Sequence, residues 1–339
     1  MLRLSLAFLC SAGLFTALAQ EPKKDAAKEK PKAAPRIAIN DPAKLIDDAD
    51  FATQGEYAGL TAEGKELGSV QVVAQGDGQF RVKSFDGGLP GLDPKAVESP
   101  LVITGTRKGD TVEFKAADKI VGLLQGGAMR SGDRGQFVAR KVNRTSPTMG
   151  AKPPAGADVL FGAAGDEANW EGGKLVKLSD GEFLGVGCKS KKAYADFTAH
   201  VEFRLPWMPN SRGQGRGNSG FYPQDRYEVQ VLDSFGLKGE NNECGGIYTL
   251  AKPSINMCFP PMSWQTYDVD FTAAKFDAAG KKTTAARITV KHNGVLVHDN
   301  VELKNATGGG QAEGPTPGPF QLQNHGDPVV YRNIWALAK

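Results

Sequence analysis

Apolar and polar residues alternate with a period of two through most of the second half of the chain. "FTAHVEFRL", "RYEVQVLDS", "QTYDVDFTA", "ARITVKHNGVLVHD" and "VVYRNIWAL" all carry this pattern. It predicts strands with one face in a core and the other turned outward. His292-Asn293-Gly294 supplies a tight hairpin between two of them. The first half has the same grammar. "SVQVVAQGDGQFRVKSF" reads as two strands around Gly76-Asp77-Gly78, and "LVITGTRKGDTVEF" as two around Lys108-Gly109-Asp110. Many antiparallel strands with no helices between them predict an all-β protein whose C-terminal part is a sandwich or jelly roll.

Turn formers divide the chain. "NRTSPTMGAKPPAGADVLF", with Pro147, Pro153 and Pro154, reads as a connector over residues 144–157. It separates a smaller N-terminal β-rich domain (residues 37–143) from a C-terminal domain (residues 158–339). The N-terminal half carries no nucleophile motif, metal cluster or phosphate loop and reads as a separable structural or binding module. The 42 Gly and 20 Pro residues fit short strands better than long helices.

Charge excludes more than it proposes. The formal net charge is +3, so no global field points to nucleic acid. At the N-terminus, Arg3, the apolar run over residues 4–18 and Ala17-Leu18-Ala19 read as a signal peptide (residues 1–19) cleaved before Gln20. Export to the periplasm or beyond is the expectation, and no later run is apolar and long enough to span a bilayer. The Lys-, Ala- and Pro-rich residues 20–36 cannot bury enough surface to offset their ordering entropy, and read as a disordered spacer. An exported protein can keep disulfides. Cys244 and Cys258 flank one short loop and are expected to be bridged, which leaves Cys188 as a small buried hydrophobe.

Period two also sorts the polar residues. Tyr227, Val229 and Val231 share one face, so Glu228 and Gln230 share the other. In "FTAHVEFRL", Val201, Phe203 and Leu205 point to the core, and Glu202 and Arg204 point away. Gln321, Gln323 and His325 share a face if their strand is regular. Each alone is an ordinary solvated sheet position. Together they offer acid, amide, imidazole and guanidinium groups, a surface suited to a sugar. Trp207, Tyr222, Tyr248 and Trp264 are aromatics of the kind that stack on pyranose rings, and equally of the kind that fill a core.

Seven segments, among them "YADFTAHVEFRL", "GNSGFYPQDRYEVQVLDS", "CGGIYTLAKPSIN", "SWQTYDVDF" and "FQLQNHGDPVVYRNIW", stand in the order and spacing of a known family. Over residues 158–339 the chain resembles the 3-keto-disaccharide hydrolases, also described as 3-keto-glucoside lyases/hydratases. One departure is the opening "FGAAGDEANW", which does not keep the family's usual motif, so the first strand or its turn is expected to differ. The resemblance implies a concanavalin A-like jelly roll and a 3-keto-disaccharide or glycoside as substrate. It also implies that a separate glycoside 3-oxidoreductase acts upstream. A C3 ketone acidifies the C2 proton. A base removes it, the enolate expels the C1 substituent, and water adds back. Glu228 and His325 are the catalytic candidates, with either as base. Arg204, Gln230 or a divalent cation is the candidate to hold the oxyanion, and His325 or Tyr248 to protonate the leaving group. Asn218, Gln230, Tyr248, Gln323 and Arg204 are the substrate-binding candidates. Glu228, Asp233 and His325 are the candidate ligands should a cation be used. Two other readings remain: a sugar-binding module without catalysis, and a glycosidase using Glu228 and Glu202 as paired carboxylates.

Overall fold

The computed structural model describes residues 36–60, 66–92, 96–131 and 137–339. The segment read as a signal peptide, and all of the segment read as a spacer except Arg36, lie outside the described residues. Almost everything described is strand or turn.

The first sheet closes on itself. Strand Glu66–Gly76 pairs with Gly55–Leu60 on one side and Gln79–Asp86 on the other, and Phe137–Val142 returns to pair with Gly55–Leu60. Between them Ile103–Lys108, Thr111–Ala116, Lys119–Gln125 and Ala128–Ser131 follow as a meander. Such a ring has no long free edge, which removes the hazard of unpaired strands. Asp77 and Gly78 make the two-residue turn expected here. Both take left-handed backbone, φ 52° and 69°, as the twist of a tight hairpin requires. Val70, Val72, Phe80, Val82, Val112 and Phe114 fill the barrel.

The C-terminal part is a jelly-roll sandwich. Its larger, eight-stranded sheet includes Phe197–Arg204, Trp264–Thr272, Ala286–His292, Val295–Leu303 and Val330–Ala338. The facing five-stranded sheet runs in the order Trp170–Glu171, Cys188–Tyr194, Gly318–Leu322, Ser219–Tyr222, Val229–Val231. The inward residues of both sheets form one core. Phe197 of the larger sheet stacks on Phe271 at 5.1 Å and meets Phe320 of the smaller sheet at 4.7 Å. The Asn293-Gly294 turn again has both residues left-handed, φ 50° and 79°.

Two features depart from a simple reading by alternation. Strand Phe197–Arg204 is buried on both faces rather than on one. The connector explains this, because it is strapped across the outer face of the larger sheet. Gly150 N donates to Glu202 Oε1 at 2.5 Å, Thr148 Oγ1 to Asp268 Oδ2 at 2.7 Å, and Trp335 Nε1 to Ala151 O at 3.0 Å. Trp207 also leaves the sandwich. It is fully buried among the barrel core residues and donates its Nε1–H to Asp48 at 2.9 Å. From Arg36 onward the chain therefore forms one compact unit.

Candidate functional site

Glu228 immediately precedes strand Val229–Val231 of the smaller sheet. Tyr227 and Val229 turn into the sandwich, so the Glu228 side chain leaves on the opposite face. It lines a cleft of about 280 Å3 with Gln214, Asn218, Gln230, Tyr248, Gly308, Gly309, Gln323 and His325. Pairing within the sheet explains the convergence. Gly220 pairs with Gln230, and Gln323 N donates to Gly220 O at 2.9 Å, which carries the segment of Gln323 and His325 alongside. Tyr248 arrives on a loop pinned to the edge strand, its N–H donating to Glu228 O at 3.1 Å. Asp327 ties the His325 loop to the opposite wall by accepting from Asn218 N at 2.7 Å.

Glu228 is the most perturbed acid of the cleft. Burial pushes its carboxyl up to about 7, against the opposing pull of the Tyr222 hydroxyl, which donates to Oε2 at 2.7 Å. A carboxylate poised near neutral pH is a competent proton acceptor. The surrounding amides are oriented by one another. Asn218 Nδ2 and Gln230 Nε2 donate to Gln214 Oε1 at 3.1 and 3.2 Å, and Gln323 Nε2 donates to the Tyr222 oxygen at 2.9 Å. Their other ends, Asn218 Oδ1, Gln230 Oε1 and Gln323 Oε1, are buried and have no partner among the described residues. Three unpaired acceptors around one cleft are costly unless a ligand rich in hydroxyls answers them.

The structure thus brings together Glu228, His325, Asn218, Gln230, Tyr248 and Gln323. It does not bring Arg204. That side chain lies on the larger sheet, where it pairs with Asp180 and stacks over Trp264 at 4.9 Å. Period two gives the face of a strand but not the sheet it joins. Asp233 is also elsewhere, buried and paired with Arg216 Nε at 2.5 Å. The three candidate cation ligands do not form one set, and no group of three or more His, Cys, Asp or Glu side chains gathers among the described residues. Glu202 belongs to the larger sheet and is held by Arg332 Nε at 2.7 Å, so it and Glu228 do not flank a common bond. Gln323 and His325 lie beyond the end of strand Gly318–Leu322, not on it. Of the aromatics, Trp207 is barrel core and Trp264 an outer-sheet platform for arginines.

The expected Cys244–Cys258 bridge is not formed. Both are free, buried thiols. Cys244 Sγ lies 3.2 Å from the Tyr267 hydroxyl, and Cys258 Sγ donates to Phe259 O at 3.5 Å, so each thiol is satisfied without a covalent link. Cys188 is a free thiol in the core, pushed up to about 12 by burial.

Sequence reasoning missed the Tyr222 role, Gln214, Gly220 and the Thr307–Gly309 turn. Thr307 Oγ1 accepts from Glu228 N at 2.8 Å. A Cβ on Gly220 would collide with Glu228 Oε1, so only glycine there leaves room for the carboxylate. The glycine run "ATGGG" was the available signal, since consecutive glycines mark close backbone approach.

A jelly-roll sandwich with a polar cleft built around one raised carboxyl is the class that fold and site define. Residues 156–337 match the family described as the 3-keto-alpha-glucoside-1,2-lyase-like domain. The chain belongs to this family, which places it among carbohydrate-active enzymes. No curated protein matches it. Among solved structures, a candidate glycosyl hydrolase from Parabacteroides distasonis is 33% identical, covering 55% of this chain and 85% of its own, with a TM-score of 0.49. A second from the same organism is 16% identical over 54% of this chain and 94% of its own, with a TM-score of 0.37.

Proposed function

We propose that the protein cleaves 3-keto-glycosides by elimination across C1–C2 followed by hydration. The observation that carries the reading is Glu228, a buried carboxyl raised to about 7 in a cleft where the amide oxygens of Asn218, Gln230 and Gln323 lack partners among the described residues. Glu228 takes the C2 proton, and Tyr222 holds its other oxygen in place. Electrons pass through the enolate to expel the C1 oxygen, which His325 or Tyr248 protonates at the cleft mouth. Water then adds to C1, and the enolate carbon recovers its proton from Glu228, so the net change is hydrolysis. Asn218, Gln230 and Gln323 accept hydrogen bonds from sugar hydroxyls and set the ring against the base.

The reaction needs a substrate already oxidised at C3, so a separate glycoside 3-oxidoreductase supplies it. The site of action is outside the cytoplasm. N-terminal sequencing of secreted protein should begin near Gln20, and an intact Met1 would refute export. The activity is tested by incubating the protein with a disaccharide and with its 3-keto derivative. Release of sugar from the ketone alone supports the reading. Release from both means ordinary glycoside hydrolysis, and binding without release means a sugar-binding module.

A further inference from the structure

A second cavity, of about 260 Å3, lies where the barrel meets the sandwich. It is lined by Val73, Gln75 and Arg81 from the barrel and by Arg212, Arg216 and Asp233 from the sandwich, among others. Three guanidinium groups facing one small cavity repel one another. The effect shows in Arg81 and Arg212, both held below the usual arginine range, first by burial and then by their cationic neighbours. The compensation is incomplete. Asp233 is spent on Arg216, its Oδ2 accepting from Nε at 2.5 Å. Glu98 and Glu243 also attract Arg81. However, Glu98 pairs with Lys83 at 2.8 Å, and Glu243 caps Gly239 N at 2.6 Å.

Neither Arg81 nor Arg212 has a salt bridge among the described residues. Backbone carbonyls hold them instead. Arg81 Nη2 donates to Gly236 O at 2.7 Å, and Arg212 Nη2 to Gln75 O at 2.6 Å. Carbonyls orient a guanidinium without neutralising it, and each group keeps unused N–H donors. Fixed, forked, uncompensated donors around one concavity are the arrangement that recognises oxyanions bidentately.

We propose that this seam cavity binds a tetrahedral oxyanion, phosphate or sulfate, either free or carried as an ester on a sugar. The site is independent of the reaction proposed for the Glu228 cleft. Two of its arginines, Arg212 and Arg216, stand on the loop that also carries Gln214 and Asn218 into that cleft, and the third, Arg81, stands on barrel strand Gln79–Asp86. The bound anion therefore braces barrel, loop and sandwich together.

The test is calorimetric titration of the full chain with sodium phosphate and sodium sulfate, with sodium chloride at matched ionic strength as the control. Saturable one-site binding of the oxyanions, absent with chloride, is expected. Arg81→Gln and Arg212→Gln should each weaken it by about tenfold or more. Arg212 is at the surface, so Arg212→Gln is expected to fold even if the inner variant does not. Glucose 6-phosphate and glucose 6-sulfate form the second arm. Tighter binding than the free ion identifies an esterified sugar as the ligand, and equal binding identifies the ion itself. No saturable heat with wild-type protein overturns the proposal, as does wild-type affinity in a folded Arg212→Gln variant.

Discussion

Glu228 carries a cost that is readable in its titration. Its folded value of about 7 lies above the ordinary 4.5 because burial disfavours the charged form. Stability from the neutral acid is therefore complete below 4.5 and is lost as pH rises through 7. Glu228→Gln cannot ionise, so by pH about 8 it should be more stable than wild type by on the order of 3 kcal/mol, with little difference in acid. Melting curves across that range check the sign. Activity should move the other way. Wild-type turnover of a 3-keto-glucoside should rise as Glu228 ionises around pH 7, and Glu228→Gln should lose about 10²–10⁴-fold together with that limb. Near-normal turnover by this variant would remove Glu228 as the base. Gly220 gives a second handle, since a methyl group there collides with Glu228 Oε1. Gly220→Ala should lower kcat by about 10²-fold through misplacement of the carboxylate, with sugar binding largely kept. An unchanged kcat would show that the side chain has other room.

Elements show which parts of the site were legible and which were not. The orientation of Glu228 and Gln230 away from the core needs only alternation within one strand, and the sequence carried it. The arrival of Gln323 and His325 beside them depends on strand order, because Gly318–Leu322 inserts next to Ser219–Tyr222. Period two does not encode that neighbour relation, and the family resemblance had to supply it. The same blindness put Arg204 in the wrong place. It faces outward as expected, but from the larger sheet. The strap over that sheet was equally invisible, because its partners are scattered along the chain. Glu202 is its anchor. Burial works against its charge, but hydrogen bonds from His200, Asn333, Arg332 and Gly150 win and hold the carboxyl down at about 2, against an ordinary 4.5. This contribution is complete above 4.5 and is lost as pH falls towards 2. Glu202→Gln should therefore destabilise the protein by about 2 kcal/mol at neutral pH and flatten the acid limb of its stability curve. Equal acid sensitivity in variant and wild type would show that the strap is held by its other contacts.

At the scale of the whole molecule, the connector suggests a cut that the packing does not favour. Trp207 leaves the sandwich and completes the barrel core, meeting Phe51 edge-on at 5.3 Å. Its backbone pairs with Ile39 in both directions, at 3.0 and 2.7 Å. Arg144 crosses the seam as well, pairing with Glu56 at 2.5 Å and covering the Phe259 ring at 4.8 Å. Barrel and sandwich should therefore unfold in one cooperative transition, and Trp207→Ala should lower the stability of both by about 3–5 kcal/mol. A chain starting at Gly156 removes the barrel and uncovers Trp207 with the seam arginines. The exposed indole and the buried Arg216–Asp233 pair would then face water, and the loop bearing Gln214 and Asn218 would lose the barrel side of its support. That shortened chain should bind a hydrophobic dye, melt earlier than the full chain and turn over substrate poorly. Adding Trp207→Ser to it should reduce dye binding without restoring turnover, because solubility and loop support are separate debts. A shortened chain with wild-type melting temperature and turnover would show instead that the sandwich holds its own cleft and that the barrel is a passenger.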